Sequence, residues 1–152
     1  MGGVSGRHLE DFRLGEVIES GEEYEITLDN ISAFAIEYDP QPIHLDPESA
    51  ADELFGGVIA SGWHSLSVTM RLMVRSNIFA GAPVIGVGVD HLRYLAPVRP
   101  GDRLRARAEV LEVRPSGSRP ERGYLVLRVT TSRQDGTPVL TQDWTVLVPR
   151  RR

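Results

Sequence analysis

The hydrophobic and polar positions of this chain follow one period in its first half and another in its second. In the first half, apolar residues recur at three- and four-residue spacing, as in Ile31, Phe34, Ala35 and Tyr38, which is typical of a helix with one buried face. From Val84 onward, apolar and polar residues alternate, which is typical of half-buried strands. The pattern therefore predicts helices followed by an antiparallel sheet.

Turn and cap residues bound the elements of the first half. Pro40 disfavours helical backbone at the residue before it, so we expect a helix to end at about Asp39. Asp29 is expected to cap the start of that helix, and Asp46 followed by Pro47 predicts the start of another. The predicted elements are a strand near Val17 to Leu28, a helix over Ile31 to Tyr38, a short helix from Pro47 to about Leu54 and a longer helix from Gly62 to about Ser76.

The longer helix is apolar around most of its circumference. We therefore expect it to be buried against a curled sheet, with Arg71 and Arg75 on its exposed remainder. Its apolar residues form two strips, one of Leu66, Met70, Met73 and Val74 and the other of Val68 and Leu72.

Four strands are predicted in the second half. Gly86 and Gly88 indicate a β-bulge or a close backbone approach in the first of them. Asp135-Gly136 is typical of a tight hairpin turn between the last two. The predicted strands run over Val84 to Leu95, Leu104 to Val110, Tyr124 to Ser132 and Val139 to Val148.

The length of 152 residues and the hydrophobic content of 41% fit a single globular domain. We expect the domain to cover residues 10–152, after a loose, glycine-rich tail over residues 1–9 that lacks the apolar core of an export signal. No apolar run approaches the roughly 20 residues that a membrane-spanning helix needs. We therefore expect a cytoplasmic protein that does not bind membranes.

The charge and the missing residue types exclude several classes of chemistry. A net charge of −4 argues against nucleic-acid binding through bulk charge. The chain has no cysteine, which excludes thiol nucleophiles and thiolate metal sites, and it has no lysine, which excludes Schiff-base catalysis. The scattered histidines show no metal-ligand spacing, and His64 and His91 are expected to have structural roles. A small-molecule substrate is therefore the default expectation.

One short segment, from Tyr38 to Pro47, carries the candidate chemistry. Its prolines stiffen a connection between two predicted helix ends and hold Asp39 and His44 close together. A carboxylate and an imidazole in such proximity are suited to general acid–base chemistry at neutral pH. Taken alone, such a pair is more often an ordinary polar contact, and Asp46 in the same segment is interpreted as a helix cap.

The run Asp39-Pro40-Gln41-Pro42-Ile43-His44, with Ala50 six residues after the histidine, resembles the hydratase loop of the MaoC-like dehydratases. These include the (R)-specific enoyl-CoA hydratases, whose pattern reads Asp-x-Asn-Pro-Ile-His. Asp39 and His44 stand at the spacing of that family, whereas Gln41 replaces its usual asparagine. This departure bears on substrate choice more than on the class of reaction.

The resemblance covers residues 10–148 and includes the stretch from Arg93 to Asp102, which is similar to a segment that hot-dog proteins share in general. It implies the hot-dog fold, an α+β arrangement in which an antiparallel sheet wraps around a long central helix. A single domain of this kind leaves a sheet edge exposed. Pairing with a second copy, as a homodimer or a larger assembly of dimers, is therefore expected, and the resemblance implies active sites near the seam.

The resemblance also implies a reaction and its catalytic residues. The substrate would be a 2-enoyl thioester, with coenzyme A as part of the substrate and no separate cofactor. Asp39 and His44 would hold a water molecule, with Asp39 favoured as the base, and addition would give the (R)-3-hydroxyacyl product. Gly62 lies 23 residues after Asp39, as in the hydratases, and its backbone N–H would stabilise the thioester oxygen. Without that offset, the glycine would be interpreted as a helix–sheet packing residue.

The predicted substrate-binding residues are Gln41, Pro42, Ser61, Trp63 and Arg93. Ser61 stands where hydratases often have histidine, and Trp63 fits an acyl pocket or the core equally well. The arginines that would meet the phosphates of coenzyme A are Arg93, Arg99 and Arg103, for which surface solvation is the alternative.

Two other functions compete with the hydratase. Hot-dog acyl-CoA thioesterases commonly place a catalytic acid on or just before the central helix, and no acid lies between Glu53 and Asp90. A non-catalytic acyl-binding or partner subunit would keep the fold with a degenerate site. The presence of both Asp39 and His44 argues against that role, although the two departures from the family pattern keep it open.

Overall fold

The structure is a computed structural model that describes residues 6–48 and 54–151. Its strands are β1 (Val17–Glu19), β2 (Tyr24–Glu25), β3 (Ile85–Tyr94), β4 (Arg103–Pro115), β5 (Arg122–Ser132) and β6 (Pro138–Pro149). Its helices are α1 (Leu28–Tyr38), α2 (Pro42–Leu45) and α3 (Gly62–Arg75), preceded by a 3-10 turn over Leu9–Asp11. Within the described ranges, none of the helices combines the length and the apolar character that crossing a membrane requires.

The strands form one antiparallel sheet in the order β1-β4-β5-β6-β3, with β2 also paired to β4. The four strands predicted in the second half are thus confirmed. The expected irregularity is present as a register shift between Gly86 and Gly88. The predicted hairpin turn is also present, with Gly136 at a φ of 85°. Among the strands of residues 6–48 and 54–151, β3 pairs only with β6, so it forms one edge of the sheet.

Alternation along the strands separates the core from the outer face of the sheet. In β4, Leu104, Ala106, Ala108 and Val110 are buried, whereas the arginines between them are exposed. Together with the inward residues of β5 and β6 they form the hydrophobic core. Burial of one such leucine or valine contributes about 1.5–3 kcal/mol. The apolar residues of the alternating pattern in the sequence are therefore the ones that the sheet buries in the core.

Helix α3 packs on this core through one side only. Val68, Leu72 and Met73 are buried, and the hydroxyl groups of Thr69 and Thr131 lie 2.6 Å apart between helix and sheet. With this one sheet curled around α3, the arrangement is the hot-dog fold. The expectation that the helix is buried around most of its circumference is wrong for the single chain. Its outer side, which includes Met70 and Val74, is exposed because the sheet covers only the opposite side.

The first predicted strand is divided. Residues 17–19 and 24–25 form two short strands, and the residues after them turn into α1 at Leu28. The cap is Thr27 rather than Asp29, because the Thr27 hydroxyl accepts the backbone N–H of Asn30 and the Asn30 side chain accepts the N–H of Thr27. This reciprocal capping box satisfies two N–H groups that would otherwise lack partners at the helix start.

Part of the segment predicted as a loose tail is folded onto the domain. The Arg7 guanidinium donates to the Glu16 carboxylate at 2.8 Å and to the Ile78 carbonyl at 3.2 Å. Leu9 is buried in the core. An ion pair and an apolar anchor therefore hold residues 7–9, whereas residues 1–5 lie outside the described part of the chain.

The connection between α1 and α3 also differs from the prediction. Helix α2 forms within the segment expected to be a loop, with Pro42 at its first position, where a missing N–H costs nothing. Asp46 ends α2, and its side chain accepts the N–H of Glu48. Most of the helix predicted from Pro47 to Leu54 falls on residues 49–53, which lie outside the described residues.

Candidate active site

The ends of two helices bring Asp39 and His44 together. Asp39 follows the last residue of α1, and its N–H donates to the Ala35 carbonyl, so the helix ends where Pro40 predicts. The short helix α2 then turns the chain back and buries the His44 imidazole. The Nε2 atom of His44 lies 3.1 Å from Oδ2 of Asp39. The predicted pairing of these two side chains is therefore present in the structure.

The second ring nitrogen of His44 defines its tautomer. Nδ1 lies 2.7 Å from the carbonyl oxygen of Ile59. Because a carbonyl oxygen only accepts hydrogen bonds, Nδ1 must carry a hydrogen, and Nε2 is left to face the carboxylate. The N–H of Ile59 donates in turn to the Ile43 carbonyl at 3.3 Å. The segment before α3 thus anchors the imidazole ring from behind.

Two hydrogen-bond donors and the His44 imidazole surround the Asp39 carboxylate. The Ser61 hydroxyl donates to Oδ2 at 2.7 Å, and the Gln41 amide donates to Oδ1 at 2.6 Å. These two bonds lower the pKa of Asp39, with Ser61 contributing most, and the nearby His44 acts in the same direction against the opposing effect of partial burial. Hydrogen bonds to the ionised form keep a carboxylate deprotonated at lower pH. Asp39 is therefore poised as an anion.

The N-terminus of α3 lies beside this pair. Ser61 is the N-cap, and its hydroxyl oxygen accepts the N–H of Trp63 at 3.3 Å. Gly62 is the first helical residue, at a position where backbone N–H groups have no partner within the helix. Such N–H groups and the helix dipole favour negative charge.

One cavity of about 460 Å³ joins these groups. Its polar end is formed by Asp39, Gln41, His44 and Gly62, and apolar residues surround the rest. The full lining is Asp39, Gln41, Ile43, His44, Phe55, Ile59, Ala60, Gly62, Trp63, Ser65, Tyr94, Leu95, Ala96, Pro97, Val98 and Val139. A carboxylate, an imidazole and a helix N-terminus therefore face one partly open cavity.

The predicted substrate-binding residues divide into two groups. Gln41 and Trp63 line the cavity, and Pro42, Ser61 and Arg93 do not. Pro42 is exposed at the start of α2, Ser61 is buried against Asp39, and Arg93 is exposed on β3. Their side chains therefore do not reach the cavity wall.

Tyr94 lines the cavity, although the sequence reasoning selected its neighbour Arg93 instead. Successive residues of a strand point to opposite faces, so only one of the two can face the cavity. The Tyr94 ring packs closely against Gly62, since a Cβ added to this glycine would be 2.6 Å from two ring carbons. Burial raises the pKa of Tyr94, which keeps its hydroxyl protonated. A glycine at position 62 is thus also needed for the close packing of α3 against the Tyr94 ring.

The remaining histidines contact other groups. His64 is buried in α3 and stacks on the Phe34 ring, with ring centroids 4.9 Å apart, and burial lowers its pKa. His91 lies at an irregular point of β3 with a φ of 54°, and its Nδ1 is 3.0 Å from the Asp143 carboxylate. Among residues 6–48 and 54–151, no group of three or more His, Asp or Glu side chains is arranged to hold a metal ion.

An open apolar groove of about 790 Å³ adjoins the cavity at Trp63. It lies between α1, α3 and the β3–β6 side of the sheet. The residues that line it are Phe34, Tyr38, Trp63, Leu66, Ser67, Met70, Val89, Leu92, Gln142 and Trp144. The exposed side of α3 therefore forms one wall of a groove rather than an isolated apolar surface.

The chain is thus a hot-dog domain whose Asp–His pair lies beside the N-terminus of its central helix. The chain matches the model of the MaoC like domain over residues 11–130. It belongs to the MaoC-like dehydratase family.

Two solved structures and one curated protein illustrate this membership. A MaoC-like dehydratase from Rhodospirillum rubrum is 42% identical with a TM-score of 0.89, covering 97% of this chain and 99% of that one. The R-hydratase PhaJ1 from Pseudomonas aeruginosa is 26% identical with a TM-score of 0.73, covering 97% and 89%. The 3-hydroxyacyl-thioester dehydratase Z of Mycobacterium tuberculosis is 34% identical over 106 residues, which is 68% of this chain and 70% of that protein.

The contact between Gly62 and Tyr94 predicts a measurable coupling between them. Gly62→Ala places a methyl group against the Tyr94 ring, so the ring must move. In a Tyr94→Ala background the methyl group meets no ring, and the cost of Gly62→Ala should fall by about 1 kcal/mol. The free energy of unfolding of the four proteins, measured in urea at one protein concentration, gives this coupling.

Gly21→Ala is the matched control, because a Cβ at Gly21 meets nothing within 4 Å. Its effect on the free energy of unfolding should be the same in both backgrounds. An equal cost of Gly62→Ala with and without the Tyr94 ring would contradict the packing described for this site.

Proposed function

We propose that the protein catalyses the reversible hydration of a 2-enoyl thioester to the (R)-3-hydroxyacyl thioester. The observation that carries this proposal is the Asp39–His44 contact of 3.1 Å in the same cavity as the N-terminus of α3. An acid–base pair acts on water, and a helix N-terminus stabilises charge on a carbonyl oxygen. Hydration of an activated double bond needs both.

The water-binding position follows from the hydrogen bonds of Asp39. A carboxylate offers about four acceptor positions. Ser61 and His44 contact Oδ2, and Gln41 contacts Oδ1, so one position remains on Oδ1. A water molecule that donates there lies within reach of a substrate in the cavity.

The reaction then proceeds by addition across the double bond. Asp39 accepts a proton from water while the water oxygen bonds to C3 of the substrate. The electron pair of the double bond moves toward the thioester carbonyl, and a proton passed through the Asp39–His44 pair bonds to C2. The 3.1 Å separation of Nε2 and Oδ2 is short enough for a proton to pass between the two side chains.

The N–H of Gly62 would stabilise the oxygen of the thioester as it becomes negative. A donor in this role typically contributes roughly 3 kcal/mol in the transition state. The absence of a side chain keeps the backbone accessible, and Tyr94 encloses the position from the β3 side. No cofactor is needed for this addition, and coenzyme A enters as part of the substrate.

The apolar groove supplies a place for the acyl chain. It meets the cavity at Trp63, so an acyl group with its thioester near Gly62 can extend along α3 past Leu66 and Met70. With coenzyme A as the carrier, Arg93 or Arg99 would contact its phosphates. Arg103 pairs instead with Glu23 at 3.3 Å.

A homodimer is part of the proposal. Among the described strands, one side of β3 has no partner, and most of its large apolar residues are exposed, as are Met70 and Val74 on α3. Exposed sheet edges and contiguous apolar surface favour association with another chain. Pairing of β3 with β3 of a second copy covers both features. A cytoplasmic location stays a prediction from the sequence.

The purified protein should hydrate crotonyl-CoA or a longer 2-enoyl-CoA. Loss of enoyl absorbance without release of free thiol is the expected result, because water adds to C3 and the thioester bond stays intact. Thiol release without hydration would identify a thioesterase, and neither signal across several chain lengths would identify a non-catalytic acyl-binding or partner subunit.

Asp39→Asn and His44→Ala should each lower kcat/KM for hydration by at least roughly a hundredfold, since each removes a general acid–base group. Asp46→Asn is the matched control on the same segment. It keeps an oxygen that can accept the Glu48 N–H, and its activity should remain close to that of the unmodified protein. Full activity in both site variants would remove the pair from the mechanism.

Light scattering coupled to size-exclusion chromatography should give twice the mass of one chain. Val89→Arg, in the exposed edge strand, should shift the protein toward the monomer because it places a charge within the apolar contact. Arg119→Glu, in the loop between β4 and β5, is the control and should leave the mass unchanged. A monomer at all concentrations would contradict the dimer.

A further inference from the structure

Ser61 is a buried hydroxyl whose two hydrogen bonds serve different groups. Its side chain is 1% exposed. Its oxygen accepts the N–H of Trp63 at 3.3 Å, and its hydrogen is donated to Oδ2 of Asp39 at 2.7 Å, because a carboxylate only accepts. A helix cap requires the first bond alone. The second bond is therefore a separate feature of this site.

The three side chains that contact the Asp39 carboxylate differ in how firmly the protein holds them in place. Gln41 is exposed on the connection between α1 and α2, so its side chain can exchange with solvent. His44 is buried on α2 and contacts Oδ2 at 3.1 Å. Ser61 is buried, belongs to the start of α3, and sits on backbone whose neighbour Ala60 donates its N–H to Val98 at 2.8 Å. Of these three residues, Ser61 is therefore the one best held in place to fix the position of the carboxylate.

We propose that Ser61 is a positioning residue, whose hydroxyl orients the Asp39 carboxylate so that its remaining acceptor position on Oδ1 faces the cavity. This inference rests on the proposed hydratase function. The residue acts through Asp39 and does not line the cavity. The same hydroxyl also links the base to the helix that carries Gly62, so it sets the distance between the water and the carbonyl oxygen.

The Ser61 bond also has an electrostatic consequence. It is the largest contribution that lowers the pKa of Asp39. Removing the donor destabilises the ionised form relative to the protonated form, so the pKa of Asp39 must rise. The other titratable groups that line or adjoin this space are His44 on α2, Tyr94 on β3 and His64 on α3. The Ser61 hydroxyl bonds to none of these three groups, so the direct effect of its removal is on the pKa of Asp39.

Substitution by glycine separates the two roles of Ser61. Glycine is accepted at helix N-caps with little loss of stability, whereas alanine is not. Ser61→Gly therefore keeps the helix and loses the donor, and Ser61→Ala loses both. Thr27→Ala is the matched control, because it removes another N-cap hydroxyl, on the helix that ends at Asp39, without removing a bond to the carboxylate.

The test is the pH profile of kcat/KM for enoyl-CoA hydration. Ser61→Gly and Ser61→Ala should both move the acidic limb to higher pH, by about one unit. At pH 7, where Asp39 is still ionised in every protein, kcat/KM should fall by roughly tenfold because the carboxylate is no longer oriented. The profile of Thr27→Ala should keep its acidic limb in place.

A second readout does not depend on activity. The side-chain carboxyl of Asp39, labelled with 13C and assigned by comparison with Asp39→Asn, should titrate at higher pH in Ser61→Gly than in the unmodified protein. An unchanged titration together with an unchanged acidic limb overturns the inference. If the unmodified protein hydrates no enoyl thioester, the proposed function fails, and a shifted Asp39 titration still supports the role of Ser61.

Discussion

The site depends on the hydrogen bonds around one carboxylate. Asp39 ends α1, where the helix dipole disfavours negative charge, and it is partly shielded from water. A carboxylate in such a place is costly unless donors surround it. Ser61 and Gln41 provide them, and Ser61 does so from the favourable N-terminal end of α3. The charge of Asp39 thus ties the ends of two helices together.

The sheet and α3 give that contact a fixed frame. Val68 and Leu72 seat the helix in the core, and Thr69 meets Thr131 of β5. With the helix seated on the sheet, its first residue, Gly62, packs against Tyr94 of β3. By contrast, apolar residues on the edge strand β3 and on the outer side of α3 are exposed to solvent. One domain therefore combines a rigid polar site with an apolar surface suited to an acyl chain or a second copy.

Some local predictions differ from the structure where two neighbouring signals compete. Thr27 and Asp29 are both good helix caps, and the one that completes a reciprocal pair with Asn30 prevails. The segment with three prolines reads as a loop, yet Pro42 is also well suited to the first turn of a helix, and α2 begins there. Helical periodicity marked Met70 as apolar, but periodicity does not say which side of a helix the sheet will cover. Only packing resolves these cases.

Sequence alone determined the strands of the second half, the end of α1 before Pro40 and the spacing of Asp39 from His44. These depend on side-chain alternation, on the restricted backbone before proline and on a short stretch of chain, and all are local properties. Tertiary structure alone decided that Ser61 donates to Asp39, that Tyr94 rather than Arg93 faces the cavity, and which side of α3 is covered. The physical reason is that these contacts join residues far apart in the chain, and their geometry exists only once the helices and the sheet have packed.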